Sequence, residues 1–204
     1  MRKLLFINGL IWLIASCASG SKPLPVLGFR QTNAAGDTIY HTIPDFSFVD
    51  QDSNIVTQST VAGKIYVTDF FFTSCPTICP KMKAQMIRIH DEFLGNDSIV
   101  LLSHSIDSYY DSVSVLKDYA EKLGIQTAKW HLLTGDKDKI WGIASEYLVS
   151  VANDDQEPGG YIHGGHFILI DPQRRIRGYY DGTNGAEVTR LMKDIRILLH
   201  EQPS

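Results

Sequence analysis

The chain has 204 residues, of which 44% are hydrophobic and 10% aromatic, so it is long enough for one globular domain with its own core plus short appendages. Its 19 Lys and Arg residues stand against 23 Asp and Glu, which gives a net charge of −4. This acidic balance excludes a protein that binds nucleic acid through a basic surface.

The N-terminus resembles a bacterial lipoprotein signal. Arg2 and Lys3 form a short positive region, and the apolar run Leu4–Ile14 is shorter than the about 20 residues that a membrane-spanning helix needs. The sequence Leu-Ile-Ala-Ser then precedes Cys17, as in a lipobox. We therefore predict that residues 1–16 are a signal peptide and that Cys17 is lipidated as the first mature residue. The alternative is an ordinary secretory signal beside a stray cysteine.

This signal places the protein in the envelope of a bacterium, as a membrane-anchored lipoprotein that faces the periplasm. That compartment is oxidising. If Cys17 carries lipid, the remaining cysteines are the pair Cys75 and Cys79. Such a pair can form a disulfide there unless another role uses or protects it.

The first part of the mature chain has the composition of a tether. Residues 17–42 are rich in Ser, Gly, Pro and Asn, and a Gly-Asp turn precedes the β-favouring run Thr38–His41. We expect a tether followed by an N-terminal strand or hairpin over residues 17–42, and the globular domain over residues 43–204.

Strands and helices alternate through this domain. Lys64–Thr73 is apolar on both faces, which predicts a central strand covered by helices on both sides. A helix is expected from Pro80, and a second strand over Ser98–Asp107. A second helix is expected to be capped by Asp111 and stopped by Gly124.

The same alternation continues to the C-terminus. Trp130–Gly135 predicts a third strand and Asp136 caps a third helix, after which two antiparallel strands flank the turn at Asp171–Pro172. Asn184 and Glu187 form a capping-box pair for the last helix. Alternating strands and helices indicate an α/β fold with parallel strands. The terminal hairpin and helix make it thioredoxin-like: a central mixed sheet flanked by helices, with an extra N-terminal strand or hairpin.

Two cysteines lie where the first core strand meets its helix, in the sequence Cys75-Pro-Thr-Ile-Cys79. Pro80 suits the first turn of a helix, where no N–H is needed. Cys79 should then lie at or beside the N-cap, with Cys75 on the preceding loop. Helix N-termini stabilise thiolates, so one of the two thiols should have a lowered pKa.

Three interpretations of this pair compete. A structural disulfide would close a very small loop and stabilise the fold weakly. Thiol–disulfide exchange usually employs Cys-x-x-Cys, whereas this chain has one residue more between the cysteines. Metal binding suits two soft thiolates, which select ions such as Cu(I) or Zn(II). A structural zinc site would need four ligands, but a third ligand, such as histidine, would complete a copper site.

The histidines divide by their place in the predicted elements. His90 and His200 lie on helices and are expected to be solvated, whereas His104 and His131 lie in strands as core or edge residues. His41 lies near the tether. The remaining pair is His163 and His166, in Gly-Gly-Tyr-Ile-His-Gly-Gly-His, where glycines predict a mobile loop able to carry a ligand over the cysteines.

Three motifs together resemble the Sco/SenC family. They are the stretch Thr73–Met82, the Ser-Ile-Asp at Ser105–Asp107, and a histidine, His163, nine residues before Pro172. The resemblance covers about Ile43 to the last helix. Sco/SenC proteins are thioredoxin-like, membrane-anchored copper proteins that assist the CuA centre of cytochrome c oxidase.

The resemblance implies that Cys75 and Cys79 are copper ligands and that His163 is the third. The spacing of His163 from the Asp-Pro turn matches the family, whereas His166 is three residues too close to that turn. The chain departs from the family at Ile162, where many members have aspartate, so His166 stays an alternative. Asp107 matches an acidic position near the family's site, and its alternative role is a turn or helix cap.

Copper binding and its delivery to the copper subunit of a respiratory oxidase is therefore the expected function. The membrane is the second expected partner, through the lipid. The alternative is a thiol–disulfide reductase that keeps the target's cysteines reduced, because both roles need the same low-pKa thiols. A third option is service to other copper enzymes or to copper stress. Histidine separates the first two roles, since a copper site needs it and thiol exchange does not.

Overall fold

A computed structural model describes residues 22–125 and 128–201 of the protein, apart from the side chain of His163. Within that part, the helices are α1 (Cys79–Phe93), α2 (Val113–Leu123), α3 (Lys137–Glu146) and α4 (Gly185–Glu201). The strands are β1 (Arg30–Thr32), β2 (Thr38–Tyr40), β3 (Ser47–Val49), β4 (Ile55–Thr57), β5 (Ile65–Phe71), β6 (Ile99–Ser105), β7 (Trp130–Leu133), β8 (Val151–Asn153), β9 (Tyr161–His163), β10 (His166–Ile170) and β11 (Ile176–Asp181).

The centre of the fold is a five-stranded sheet in the order β11-β10-β5-β6-β7. Strands β5, β6 and β7 run parallel, whereas β10 is antiparallel to β5 and β11 is antiparallel to β10. The sheet is therefore mixed and has helices beside it, which confirms the predicted α/β, thioredoxin-like arrangement.

The two central strands explain where a site can form. Every residue of β5 and β6 is buried. For β5 this confirms the prediction of a strand covered on both faces. Their carboxyl ends lie side by side, with Phe71 opposite Ser105. The loops that follow these strands therefore meet at one edge of the sheet.

Helix ends follow the sequence signals with one exception. Gly124 ends α2 in the left-handed region, at φ 65°, where glycine has no steric penalty. The Asp136 carboxylate accepts a hydrogen bond from the backbone N–H of Lys139 and caps α3. The predicted cap of α2 is wrong, because Ser112 takes that position and Asp111 is fully buried beside it.

Within the described residues, three hairpins lie outside the central sheet. The N-terminal one pairs β1 with β2, as predicted. Neither the β3–β4 pair nor the β8–β9 pair was expected from the sequence. Each of these four strands has only three residues, too few for the alternation that marks a strand in sequence.

The position of His90 differs from the expectation. His90 was predicted to be solvated, but its side chain is buried on α1 with its ring 6.0 Å from the ring of Trp130. His104 and His131 are buried in β6 and β7, as expected for core residues. His90 faces inward because it follows Met82, Met86 and Ile89 around the buried face of α1.

The described chain before β1 is hydrogen-bonded to the start of β11, an edge strand of the central sheet. The guanidinium of Arg177 donates hydrogen bonds to the carbonyl oxygens of Leu24 and Pro25, and the N–H of Leu27 donates to the carbonyl of Ile176. None of the helices within residues 22–125 and 128–201 combines the length and the apolar character needed to cross a membrane.

Candidate metal centre

The cysteine loop connects the end of β5 to the first residue of α1. Cys79 is that first helical residue and Pro80 the second, so the proline occupies a position without a need for its missing N–H. Both cysteines are present as thiols and are buried, with 6% of Cys75 and 1% of Cys79 exposed. The two thiols hydrogen-bond to each other, which places two soft ligands side by side.

Cys75 is the activated thiol. Burial by itself raises the pKa of Cys75, but hydrogen bonds with the backbone of Thr77 and Cys79 and with their side chains outweigh it, so the pKa lies below the ordinary value. The Thr77 hydroxyl is 3.7 Å from the Cys75 sulfur. The prediction of one thiol with a lowered pKa is thus met on the loop, by Cys75.

Cys79 has the opposite shift although it begins the helix. Burial is the main cause that raises the pKa of Cys79, and the neighbouring Cys75 raises it further. A hydrogen bond with the backbone of Phe72 and the positive charge of Lys83 act in the other direction without outweighing burial. At this position desolvation therefore exceeds the effect of the helix N-terminus.

A cavity of about 160 Å³ lies between the cysteine loop and the β8–β9 hairpin. On one side it is lined by Phe72, Cys75, Thr77 and Ile78, and on the other by Glu157, Pro158, Tyr161 and Ile162. The hairpin thus covers the less buried of the two thiols.

Aromatic packing holds this hairpin against the loop. The ring of Tyr161 lies 5.2 Å from that of Phe72 and 6.3 Å from that of Trp141, both edge to face. Gly159 has φ 95°, and a Cβ at this position would lie 2.7 Å from the Phe72 ring. Glycine is therefore required at Gly159 both for the backbone conformation and for the close contact.

His163 ends strand β9, where its backbone lies opposite Val151. The expectation of a glycine loop at this position is wrong for the backbone, because the residue belongs to a hairpin strand. Its side chain lies outside the described part. Tyr161 and Ile162, the two residues before it, line the same cavity as Cys75, so the chain brings His163 to the edge of the cysteine site.

His166, the alternative ligand, begins β10 opposite Asp181 and is exposed. Among the described side chains, no three His, Cys, Asp or Glu residues are gathered as a metal-binding group. In this conformation, therefore, none of the six other histidines completes a three-ligand site with the two thiols.

Asp107 lies in a turn, which was the alternative to its expected role near the metal site. It also contacts the β8–β9 hairpin. Its carbonyl oxygen accepts hydrogen bonds from the N–H groups of Tyr110 and Asp111, at 3.1 and 2.8 Å. Burial, a hydrogen bond to the Asp107 carboxylate and the charge of that carboxylate raise the pKa of Tyr161. Asp107 thus joins the loop after β6 to the hairpin that bears His163.

The sequence pattern of the family described as SCO1/SenC matches residues 35–200, which is most of the chain. The chain belongs to the SCO1/SenC family. The SCO1 protein homolog of Bacillus subtilis (strain 168) is 25% identical over 190 residues, with 92% of each chain covered. The resemblance first carried by the cysteine motif is thereby confirmed.

Solved structures of this family share the fold. A SCO1/SenC family lipoprotein from Bacillus anthracis str. Ames is 28% identical, with a TM-score of 0.71 over 78% of this chain and 95% of its own. BsSco, a member of the Sco family of cytochrome c oxidase assembly proteins with a disulfide switch, is 25% identical, with a TM-score of 0.68 over 78% and 93%. Copper-bound Arabidopsis thaliana ScoI is 25% identical, with a TM-score of 0.62 over 75% and 97%.

Two residues of this SCO1/SenC site were not found from the sequence. Tyr161 links the hairpin to the cysteine loop. Nothing in the sequence around this tyrosine, which lies in a glycine-rich segment, predicts that contact. Asp111 was predicted to cap α2, yet its carboxylate bonds to Thr73 at the start of the cysteine loop. Cys17, the predicted lipidation site, lies outside the described residues.

Proposed function

We propose that the protein is a copper metallochaperone of the cell envelope that binds copper through Cys75, Cys79 and His163. The observation that carries the proposal is the pair of hydrogen-bonded thiols beside a cavity whose other wall is the hairpin leading into His163. The copper-bound ScoI of Arabidopsis thaliana, with the same fold, supports copper as the cargo.

The chemistry of the donor set favours this cargo. Two thiolates are soft ligands that favour ions such as Cu(I) and Zn(II), and imidazole binds copper as well. A structural zinc site would require a fourth ligand. Three ligands leave a position open, so a ligand from a recipient protein can bind the copper before Cys75 and Cys79 release it.

The recipient that we propose is the copper subunit of cytochrome c oxidase, whose CuA centre the protein would help to assemble. BsSco, 25% identical to this chain, is a member of the Sco family of cytochrome c oxidase assembly proteins and supports this assignment. The same three ligands would serve equally well to deliver copper to another copper enzyme of the envelope.

A thiol–disulfide reductase is the second candidate. It is favoured by the asymmetry of the pair, since the pKa of Cys75 is lowered and that of Cys79 is raised. An exchange reaction needs one accessible thiolate that attacks and a second thiol that resolves the mixed disulfide. Cys75, whose pKa is lowered and which lines the cavity, is the candidate for the first, and the more deeply buried Cys79 is the candidate for the second.

Removing the His163 imidazole separates the two functions. Loss of a residue that only supports a metal ligand typically weakens metal binding by about 10–100-fold. We expect His163→Ala, which removes a ligand itself, to weaken copper binding by at least this much. Disulfide reduction should stay within a few-fold, because its rate depends on the thiols. Both are measured on the purified reduced chain, by copper titration against a competing chelator and by reduction of a model disulfide.

His166→Ala is the matched control and should keep wild-type copper affinity, since His166 is exposed at the start of β10. Loss of copper with His166→Ala alone would move the ligand to that residue. If oxidase assembly in cells survives both substitutions but fails without the cysteines, the reductase becomes the function.

The lipid anchor is proposed from the sequence before Cys17 and is tested separately. The Bacillus anthracis neighbour is a lipoprotein, which supports an envelope location. Each buried CH₂ of an acyl chain contributes about 0.8 kcal/mol to membrane binding, so loss of the chains should release the protein. We expect Cys17→Ser to appear in the soluble fraction or to keep residues 1–16, as followed by cell fractionation. An unmodified Cys17 in the mass spectrum of the native protein would rule the anchor out.

A further inference from the structure

A buried carboxylate joins the cysteine loop to the neighbouring strand. Asp111 has no exposed surface. Its Oδ2 accepts hydrogen bonds from the N–H of Thr73, at 3.0 Å, and from the hydroxyl of Ser105, at 2.6 Å. Its Oδ1 accepts a third from the Thr73 hydroxyl. Both polar donors of Thr73 are thus used by this one side chain.

These contacts lie at the entry to the metal centre. Thr73 is two residues before Cys75, and the backbone between them is fixed by the N–H of Cys75, which donates to the carbonyl of Phe72 at 3.3 Å. On the other side, Ser105 is the last residue of β6. Asp111 therefore fastens the first half of the cysteine loop to the end of the sheet.

A role in capping does not account for this carboxylate. Ser112 is the N-cap of α2, where its hydroxyl accepts from the N–H of Val115. Burying a carboxylate is unfavourable unless hydrogen bonds compensate for the lost water. Burial raises the pKa of Asp111, and the bonds from Ser105 and Thr73 oppose that shift. An apolar residue would avoid this cost, but it could not hold Thr73.

We propose that Asp111 is a positioning residue for the metal centre, which holds the Cys75 loop in its ligand-ready shape before copper arrives. The inference rests on the proposed function and deepens it. A loop that is already ordered loses less entropy on binding, so copper is bound more tightly. Asp111 acts through Thr73, and the ligands themselves stay Cys75, Cys79 and His163.

The test is a double-mutant cycle on the full mature chain, reduced and titrated with copper against a competing chelator. Asp111→Asn keeps the shape of the side chain but removes one acceptor oxygen, and Thr73→Val removes the hydroxyl. We expect each to weaken copper binding by about 10-fold or more, as for other supporting contacts of metal ligands. The double variant should be little worse than either single one, because both act through the same contact.

Two further variants separate positioning from general stability. Thr73→Ser keeps the hydroxyl and should restore wild-type affinity. Asp50→Asn is the matched control, because Asp50 is a buried carboxylate that accepts from the N–H groups of Asp52 and Asn54 and from His131, each at 2.9 Å, outside the cysteine loop. It should lower stability while leaving copper affinity unchanged.

Amide hydrogen exchange of residues 73–79 in the copper-free protein gives a second readout. Exchange there should be faster in Asp111→Asn and Thr73→Val than in the wild type or in Asp50→Asn. If the wild type binds no copper, the proposed function fails, and this measurement still decides whether Asp111 orders the cysteine loop through Thr73. Unchanged exchange and affinity in Asp111→Asn, or an equal loss of affinity in Asp50→Asn, would overturn the positioning role.

Discussion

Oxidising Cys75 and Cys79 to a disulfide is expected to abolish copper binding. The disulfide uses the sulfur atoms of both ligands in a bond to each other, so neither remains a thiolate able to bind the ion. The thiol of Cys75 on the loop and that of Cys79 at the start of α1 already hydrogen-bond to each other, so their sulfur atoms are close. Since the remaining histidine alone is a poor copper site, binding should fall from one ion per chain to none.

The measurement compares copper stoichiometry before and after treatment with a disulfide oxidant, in a chain whose Cys17 is replaced by serine. Addition of a reductant should restore binding, which shows that the loss is reversible. The Cys75→Ser/Cys79→Ser double variant serves as the control and should bind no copper in either state. Equal affinity of the oxidised and reduced protein would mean that the copper site lies elsewhere in the chain.

The parts of this fold that are local in sequence could be predicted. The run Lys64–Thr73 predicts β5 because that strand is buried on both faces, the alternation of strands and helices predicts β6, and the Cys-Pro motif marks the junction of β5 with α1. The β8–β9 hairpin could not be predicted. Its strands are short and half exposed, and its position depends on the packing of the Tyr161 ring against that of Phe72, which lies far away in the sequence.

The role of Asp111 could not be predicted because two neighbouring residues are equally suited to cap α2. Asp111 and Ser112 are both good N-caps, and the sequence does not decide between them. The choice is made by Thr73 and Ser105, whose hydroxyl groups draw the Asp111 carboxylate into the interior. The sequence does contain one indication that Asp111 turns inward. Ser105 ends the buried strand β6, and its hydroxyl needs a hydrogen-bond partner there.

A buried ion pair lies beside the first turns of α1, close in sequence to the candidate metal centre. The Lys83 ammonium, one helical turn after Cys79, donates to the Asp69 carboxylate at 2.9 Å and to the Ser103 hydroxyl at 3.0 Å. It also lies 3.8 Å from the centre of the Phe71 ring. Only 2% of the Lys83 side chain and none of the Asp69 side chain is exposed, so each charge depends on the other for compensation.

Removing one partner of this pair should therefore be strongly destabilising. We expect Asp69→Ala or Lys83→Met to lower the free energy of unfolding by about 3–5 kcal/mol, because each leaves an uncompensated buried charge. That loss is a large part of the about 5–15 kcal/mol by which domains are stable. Urea denaturation of the reduced chain, followed by circular dichroism, measures it.

The double variant Asp69→Leu/Lys83→Met tests the cause. It removes both charges and fills the space with apolar groups, so its stability should return to near the wild-type value or exceed it. The Ser103 hydroxyl still accepts the bond from the Trp130 indole, at 2.9 Å, and is not left without a partner. Lys117→Met, at a solvent-exposed pair with Asp52, is the control and should not shift the urea midpoint. Single variants as stable as this control, or a double variant as unstable as the singles, would show that the pair does not depend on mutual compensation of buried charge.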